Sequence, residues 1–330
     1  MKRPRALLAA LLCAAALLTA CVRAAPQPPL RIGTITWPGY EPLYLAGEVG
    51  KLTPQTAQVT RFLSSTQVLQ AFKAGQIDAA GITLDEAMLL LDQGADPRVV
   101  LVLDVSNGAD ALLAKPGTQT LADLKGKRVG VEETALGAYM LARILETADL
   151  RPADITPVHV EANTHVAAFH AGQVDAVVTF EPMRTALMAG GAVELFNSAQ
   201  IPGEVVDVLV VRADVLKSRP GQVADVVRAW FATLNFMAQK PDQAARVMAV
   251  AMHLTTPQLR ATYDLVHLPD RDENVRMLIG GPGMPKLAAT ATRLHRTMRA
   301  NHLTGSSLDA HQLLSVPRHG HPLLAADTPE

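Results

Sequence analysis

The chain has 330 residues, of which 49% are hydrophobic and 18% charged, with a formal net charge of −1. This composition excludes a wholly disordered protein, and the balanced charge leaves no basic field to hold nucleic acid or an anionic membrane face. The length allows two domains with sizeable cores.

The amino terminus reads as a targeting segment. Lys2, Arg3 and Arg5 form a charged region, and Ala6 to Leu18 is an apolar run too short for a membrane span. It ends in Leu18-Thr19-Ala20-Cys21, small residues before a cysteine, which resembles the lipobox of bacterial lipoproteins. The resemblance implies that residues 1–21 are a lipoprotein signal peptide with Cys21 as the lipidated residue and membrane anchor, and that 22–29 are its tether. An ordinary signal peptide cleaved after Ala25 is the alternative. Cys13 lies in the segment to be discarded, so no disulfide, cysteine metal cluster or thiol nucleophile is expected in the mature chain.

The next elements alternate strand and helix. Arg31 to Ile35 reads as a strand, followed by the loop Thr36 to Tyr40 and a helix from Glu41 that stops at Gly50, with Pro42 in its first turn. Thr56 to Phe62 is a second strand, Ser64 to Thr66 are candidate caps of a helix ending at Gly75, and Ile77 to Ile82 is a third strand leading into a helix at Thr83-Leu84-Asp85. Leu101 to Lys115 is an apolar run broken by Ser106, Asn107, Gly108 and Asp110, a pattern suited to a strand that leaves one lobe, crosses a cleft and enters another. A second lobe then follows, with a short surface helix in 120–127, a strand at Arg128 to Val131, a helix from Ala135 to Thr147, strands at Ile155 to Val160 and Val174 to Thr179, and Pro182 near a helix start. Gly203 to Arg212 is the return crossing. Beyond it the pattern is helical, over Pro220 to Gln239, Pro241 to Met252, from Thr256 onward and over Pro285 to Asn301; these helices are expected to pack back on the first lobe. Residues 302–330 hold four histidines without apolar periodicity and read as a mobile tail, with no spacing that fixes a metal geometry.

An internal repeat supports two lobes of like topology. Arg31-Ile32-Gly33 recurs as Arg128-Val129-Gly130, and Ala71 to Ala79 (AFKAGQIDA) recurs as Ala168 to Ala176 (AFHAGQVDA), each 97 residues further on. The domain expectation is therefore lobe one from 30–108 and 206–301, and lobe two from 109–205. Asp78 and Asp175, the repeat aspartates, read as structural turn residues, and Lys73 and His170 as surface.

In open α/β sheets, ligands bind beyond the carboxyl ends of the strands. The loops there gather Thr36, Trp37, Tyr40, Ser64, Asn163, Asp207 and the residues retained as ligand candidates. Those candidates are Trp37, Tyr40, Ser65, Thr66, Asp85, Ser106, Asn107, Asp110, Glu132, Thr134, Phe180 and Glu181. Trp37 and Tyr40 suit a ring platform in a chain only 4% aromatic, with core packing as the alternative. Ser65 and Thr66 would act as caps as well as contacts, and each acid has the alternative of a capping or solvated role. No catalytic set, Gly-rich phosphate loop or paired metal-ligand histidines occur; neither a cofactor nor a metal is expected.

The runs Trp37 to Ala46 (WPGYEPLYLA), AGQIDAA, SNGAD at 106–110, LADLKGKRVGVE at 121–132 and AGQVDAVVTFEP at 171–182 are together similar to solute-binding proteins of ABC importers, in the group serving nitrate, alkanesulfonates, taurine and thiamine precursors. The resemblance implies a type II periplasmic binding protein fold, two α/β lobes joined by two crossing segments. It also implies a monomer that closes on a ligand outside the cytoplasm and docks on a permease with its ATPase. Carried over, Trp37 to Tyr40, Ser106 to Asp110 and Glu132 to Thr134 would line the cleft. No lysine or arginine stands in the cleft loops, so a neutral or cationic amine or nitrogen heterocycle is expected rather than nitrate or sulfonate. A periplasmic sensor for a membrane signalling partner, and an enzyme on the same fold, are the rival readings.

Overall fold

The computed structural model describes residues 27–132, 136–280, 287–305, 309–316 and 321–325. The targeting segment with Cys21, most of the tether, and Thr134 lie outside these.

The expected α/β architecture is present as two sheets. The first contains β1 (Leu30–Thr34), β2 (Ala57–Arg61), β3 (Ala79–Thr83), β4 (Pro97–Ser106), β10 (Val206–Arg212) and β11 (Val266–His267), in the order β11-β4-β10-β3-β1-β2. The second contains β5 (Asp110–Ala114), β6 (Arg128–Val131), β7 (Thr156–His159), β8 (Ala176–Phe180) and β9 (Val193–Asn197), in the order β7-β6-β8-β5-β9. Strands β1, β2 and β3 pair in parallel, as do β6, β7 and β8, while β10 and β5 run antiparallel to their neighbours. The wholly buried strands β3, β5 and β8 are mostly apolar, as expected of strands covered on both faces.

The chain passes from the first sheet to the second between Ser106 and Asp110, and returns between Asn197 and Val206. The two passages brace one another. Ser106 Oγ lies 2.8 Å from Ser198 Oγ, the Gly108 amide donates to Ser198 Oγ at 2.6 Å, and the Ser106 amide donates to the Val205 carbonyl at 3.0 Å. Gly108, at φ +118, adopts a backbone that a side chain would strain.

The repeat has a structural reason. Arg31, at the start of the first sheet, donates its backbone amide and Nε to Asp78 Oδ2 and Nη2 to Oδ1, at 2.9, 3.1 and 2.8 Å. Arg128 does the same to Asp175 in the second sheet, at 3.0, 3.1 and 2.8 Å. Each pair ties a first parallel strand to the loop before its central neighbour. Asp78 also receives Arg219 at 2.9 Å and is nearly inaccessible. Burial alone would raise its carboxyl, yet the bonds from Arg31 and the charge of Arg219 hold it below the usual range. We expect Asp78→Asn to cost about 1 to 2 kcal/mol in urea unfolding, since it removes a nearly inaccessible carboxylate from the largely covered Arg219 and the half-exposed Arg31, and Asp175→Asn to cost less, because Asp175 is more exposed and water replaces the lost partner. Equal costs would refute this account.

The late helices pack on the first sheet's lobe, Pro220–Gln239 against Glu41–Glu48, and Arg271–Leu278 against β4. The helix Arg271–Leu278 escaped the sequence reading although Asp270 and Glu273 form its capping box. Residues 302–330 require a correction. In place of the expected mobile tail, their described parts include the short helices Ala310–Leu314 and Pro322–Ala325, with Leu313, His321 and Leu323 buried against the body. Helices of five and four residues are too short to display periodicity, so their burial could not be read from the pattern.

Candidate functional site

Between the lobes lies a narrow cavity of about 30 Å³, lined by Ile35, Trp37, Tyr40, Ser65, Thr83, Glu86, Asp110, Glu132, Leu136, Gly137, Met140, Val178, Thr179, Phe180 and Asp207. The ends of β1, β3 and β10 supply one wall, and those of β5, β6 and β8 the other. Strand register delivers several of these side chains together: Asp207 is opposite Thr83 and Asp104, and Asp110 is opposite Phe180.

The aromatic wall follows from the loop after β1. Pro38–Tyr40 form a 3-10 turn, which turns Trp37 and Tyr40 inward. Trp37 meets Phe180 of the other lobe edge-on, with ring centroids 5.9 Å apart. Trp37 Nε1 donates to Asp104 Oδ2 at 3.0 Å, and the Tyr40 hydroxyl donates to Asp207 Oδ1. Gly39 makes this approach possible, since a Cβ there would fall 1.7 Å from Asp104 Oδ2.

The charge of the site is one-sided. Glu86, Asp110, Glu132 and Asp207 line the cavity, with Asp85 and Asp104 buried beside them, and among the described lining residues there is no lysine or arginine. Burial pushes Asp85 up to about 6, Asp110 and Glu132 to about 7, and Glu86 to about 8. Burial also moves Asp104 to about 7 and raises Asp207, which stands beside Asp104's charge. As two carboxylates, neither member of that pair can donate to the other, so Asp104 Oδ1 is left unpartnered until one of them takes a proton. Asp110 Oδ2 and Asp85 Oδ2 are also buried without a partner. His165, behind the Phe180 ring, adds no positive charge. Burial lowers it to about 4, and Nδ1 and Nε2 lie 3.0 Å from Thr179 Oγ1 and 3.3 Å from the Val160 carbonyl.

Of the candidates named from sequence, Trp37, Tyr40, Ser65, Asp110, Glu132 and Phe180 line the cavity. Five others, Thr66, Asp85, Ser106, Asn107 and Glu181, do not. Ser106 is buried in the crossing, bonded to Ser198. Asn107 is exposed there, its amide donating to the Leu265 carbonyl. Glu181 faces away, because Arg184 Nη1 takes Oε1 at 3.0 Å and the Thr185 amide takes Oε2 at 3.2 Å. Asp85 is buried one residue short of the wall that Glu86 reaches. Thr66 lies off the lining, donating its amide and hydroxyl to Glu132. Glu86, Thr83 and Asp207 line the cavity and Asp104 is buried beside it, though none of the four is among the ligand candidates named from sequence. The signals were present: Thr83-Leu84-Asp85-Glu86 is a capping box, and an acid inside the apolar runs LVLDV and VVDVLVV is costly in a buried strand.

Comparison with known proteins agrees with this architecture. The chain is 26% identical over 189 residues to the taurine-binding periplasmic protein of Escherichia coli (strain K12), a match covering 56% of this chain and 57% of that one. Among solved structures, the alkanesulfonate-binding protein of Xanthomonas axonopodis pv. citri bound to MOPS superposes with a TM-score of 0.72 at 22% identity, covering 86% of this chain and 97% of that one. The periplasmic nitrate-binding protein of Synechocystis PCC 6803 superposes with a TM-score of 0.73 at 12% identity, covering 92% and 91%. The fold is thus that of periplasmic binding proteins. Residues 23–252 match the NMT1-like family, more than two thirds of the chain, and the chain belongs to that family.

Proposed function

We propose that this chain is the extracytoplasmic ligand-capturing component of an ABC importer, delivering a small molecule held between its lobes to a permease and its ATPase. Its family and relatives with named ligands support the transport role. Anchoring through a lipidated Cys21 belongs to the same proposal. The ligand, on this reading, is an amine or a nitrogen heterocycle, neutral or cationic, rather than a sulfonate or nitrate. The observation that carries it is Asp110 Oδ2, a buried acceptor without a partner on a cavity whose described lining has four carboxyl groups and no basic side chain. An ammonium or ring N–H supplies the missing donor, and Trp37, Tyr40 and Phe180 offer faces or edges to a ring or cation.

A thermal-shift panel of amines and pyrimidines against nitrate, taurine and alkanesulfonates tests this. A ligand at 100 times its dissociation constant should stabilise the protein by about 2.7 kcal/mol. Stabilisation by the anions alone, unchanged in Asp110→Asn, would discard the amine reading.

A further inference from the structure

One cavity residue makes its hydrogen bonds across the cleft. Glu132 follows β6 in the second sheet's lobe, while Thr66 is the second residue of the helix Ser65–Lys73 in the other. The N-cap Ser64 makes no side-chain capping bond. Glu132 Oε1 instead accepts from the Thr66 backbone amide and from Thr66 Oγ1, both at 3.3 Å. Thr66 Oγ1 also reaches Glu161 Oε1 at 3.5 Å, and His159 Nε2 lies 3.0 Å from that same oxygen. Glu132 and Ser65 both line the cavity that holds the unpartnered Asp110 Oδ2.

The start of a helix presents free amides and the positive end of its dipole, which is where an anionic group of a ligand binds most readily. Here a carboxylate of the protein, brought in from the opposite lobe, already sits there. We propose that Glu132 determines the sign of charge the cavity accepts: it occupies the helix start that a sulfonate, nitrate or carboxylate would need, and it bridges the two lobes while doing so. This deepens the amine reading and rests on the cleft being the ligand site. An incoming anion meets both a filled helix start and a like charge, which at about 4 Å is a penalty on the order of a thousandfold in affinity at an effective dielectric near 20. A cation meets neither.

The test is titration calorimetry at pH 8 with ethanesulfonate, taurine and nitrate, on wild type, Glu132→Gln and Glu132→Ala, with folding checked by circular dichroism. Glu132→Gln is isosteric and keeps an acceptor for Thr66, so it carries the test if the alanine variant fails to fold. The expected result is weak or undetectable anion binding to wild type and a gain of at least about tenfold in the folded variants. Folded variants that gain no anion affinity overturn the role of Glu132 and leave the amine reading standing. Tight anion binding by wild type, weakened or unchanged in the variants, overturns both. Amine binding by wild type together with anion gain in the variants supports both.

Discussion

Asp110→Asn is expected to weaken binding of those amines that stabilise the wild type by about a thousandfold, and to raise the melting temperature of the ligand-free protein at pH 8. Both effects come from one charge. A carboxylate about 4 Å from an ammonium contributes roughly 4 kcal/mol at an effective dielectric near 20, and each 1.4 kcal/mol is a factor of about ten in affinity. Within the fold the same carboxylate is buried, and its Oδ2 has no protein partner. Burial has moved it from 3.8 to about 7, so ionising it in place costs about 4 kcal/mol, at about 1.4 kcal/mol per unit. Asparagine keeps the shape and removes that cost. A gain in stability joined to a loss of binding marks a side chain held for function; unchanged calorimetric affinity would show that Asp110 does not face the ligand.

The ligand-free protein is expected to be more stable near pH 5 than at pH 8, the reverse of a protein held together by ion pairs. Below about pH 4 the cleft carboxyls carry their protons in folded and unfolded chains alike. Between about pH 4 and pH 7 the unfolded chain has released them while the folded chain still holds them, with Asp110 and Glu132 near 7 and Glu86 near 8. The folded state then binds more protons, so stability falls as pH rises and levels off once the folded groups ionise. Asp110 alone accounts for about 4 kcal/mol over the whole range and for roughly 2 to 3 kcal/mol of it between pH 5 and pH 8, or about 5 °C in a protein of this size. Opening the lobes limits the sum over the whole cluster, because it returns the acids to water. Asp78 and Asp175, held low by their arginines, act oppositely, and only as pH falls below the ordinary carboxylate range. Scanning calorimetry from pH 4 to 9 checks this; a melting temperature that climbs from pH 5 to pH 8 contradicts it, while Asp110→Asn should flatten the slope.

Much of the architecture was written locally. The repeat of Arg31 and Asp78 at Arg128 and Asp175 announced two like lobes, because the strand start and the loop that binds it recur with their connecting helix. The broken run at Ser106 to Asp110 marked the crossing, since glycine and short polar residues interrupt a strand where it leaves its sheet. The weaker elements were silent. Strand β9 alternates only partly in burial, β11 has two residues, and the carboxyl-terminal helices of five and four residues fall short of the two turns over which a helical pattern repeats.

The acids divide differently. That the cleft loops are acidic and lack lysine or arginine could be read from the order of residues, because loops at strand ends are identifiable once strands are. Which acids face the cavity could not. Glu181 and Asp110 both stand near strand ends, yet Arg184 neutralises one, while the antiparallel register of β5 against β8 sets the other beside Phe180. Asp104 and Asp207, about one hundred residues apart in the chain, became a pair only through the register of β4 and β10. Glu132 meets Thr66 only because the fold sets the two lobes face to face. The chain by itself determined the lobes, the crossings and the sign of the loops' charge, which depend on neighbours in sequence. The tertiary structure decided which charges are left without partners, because burial and pairing depend on neighbours in space.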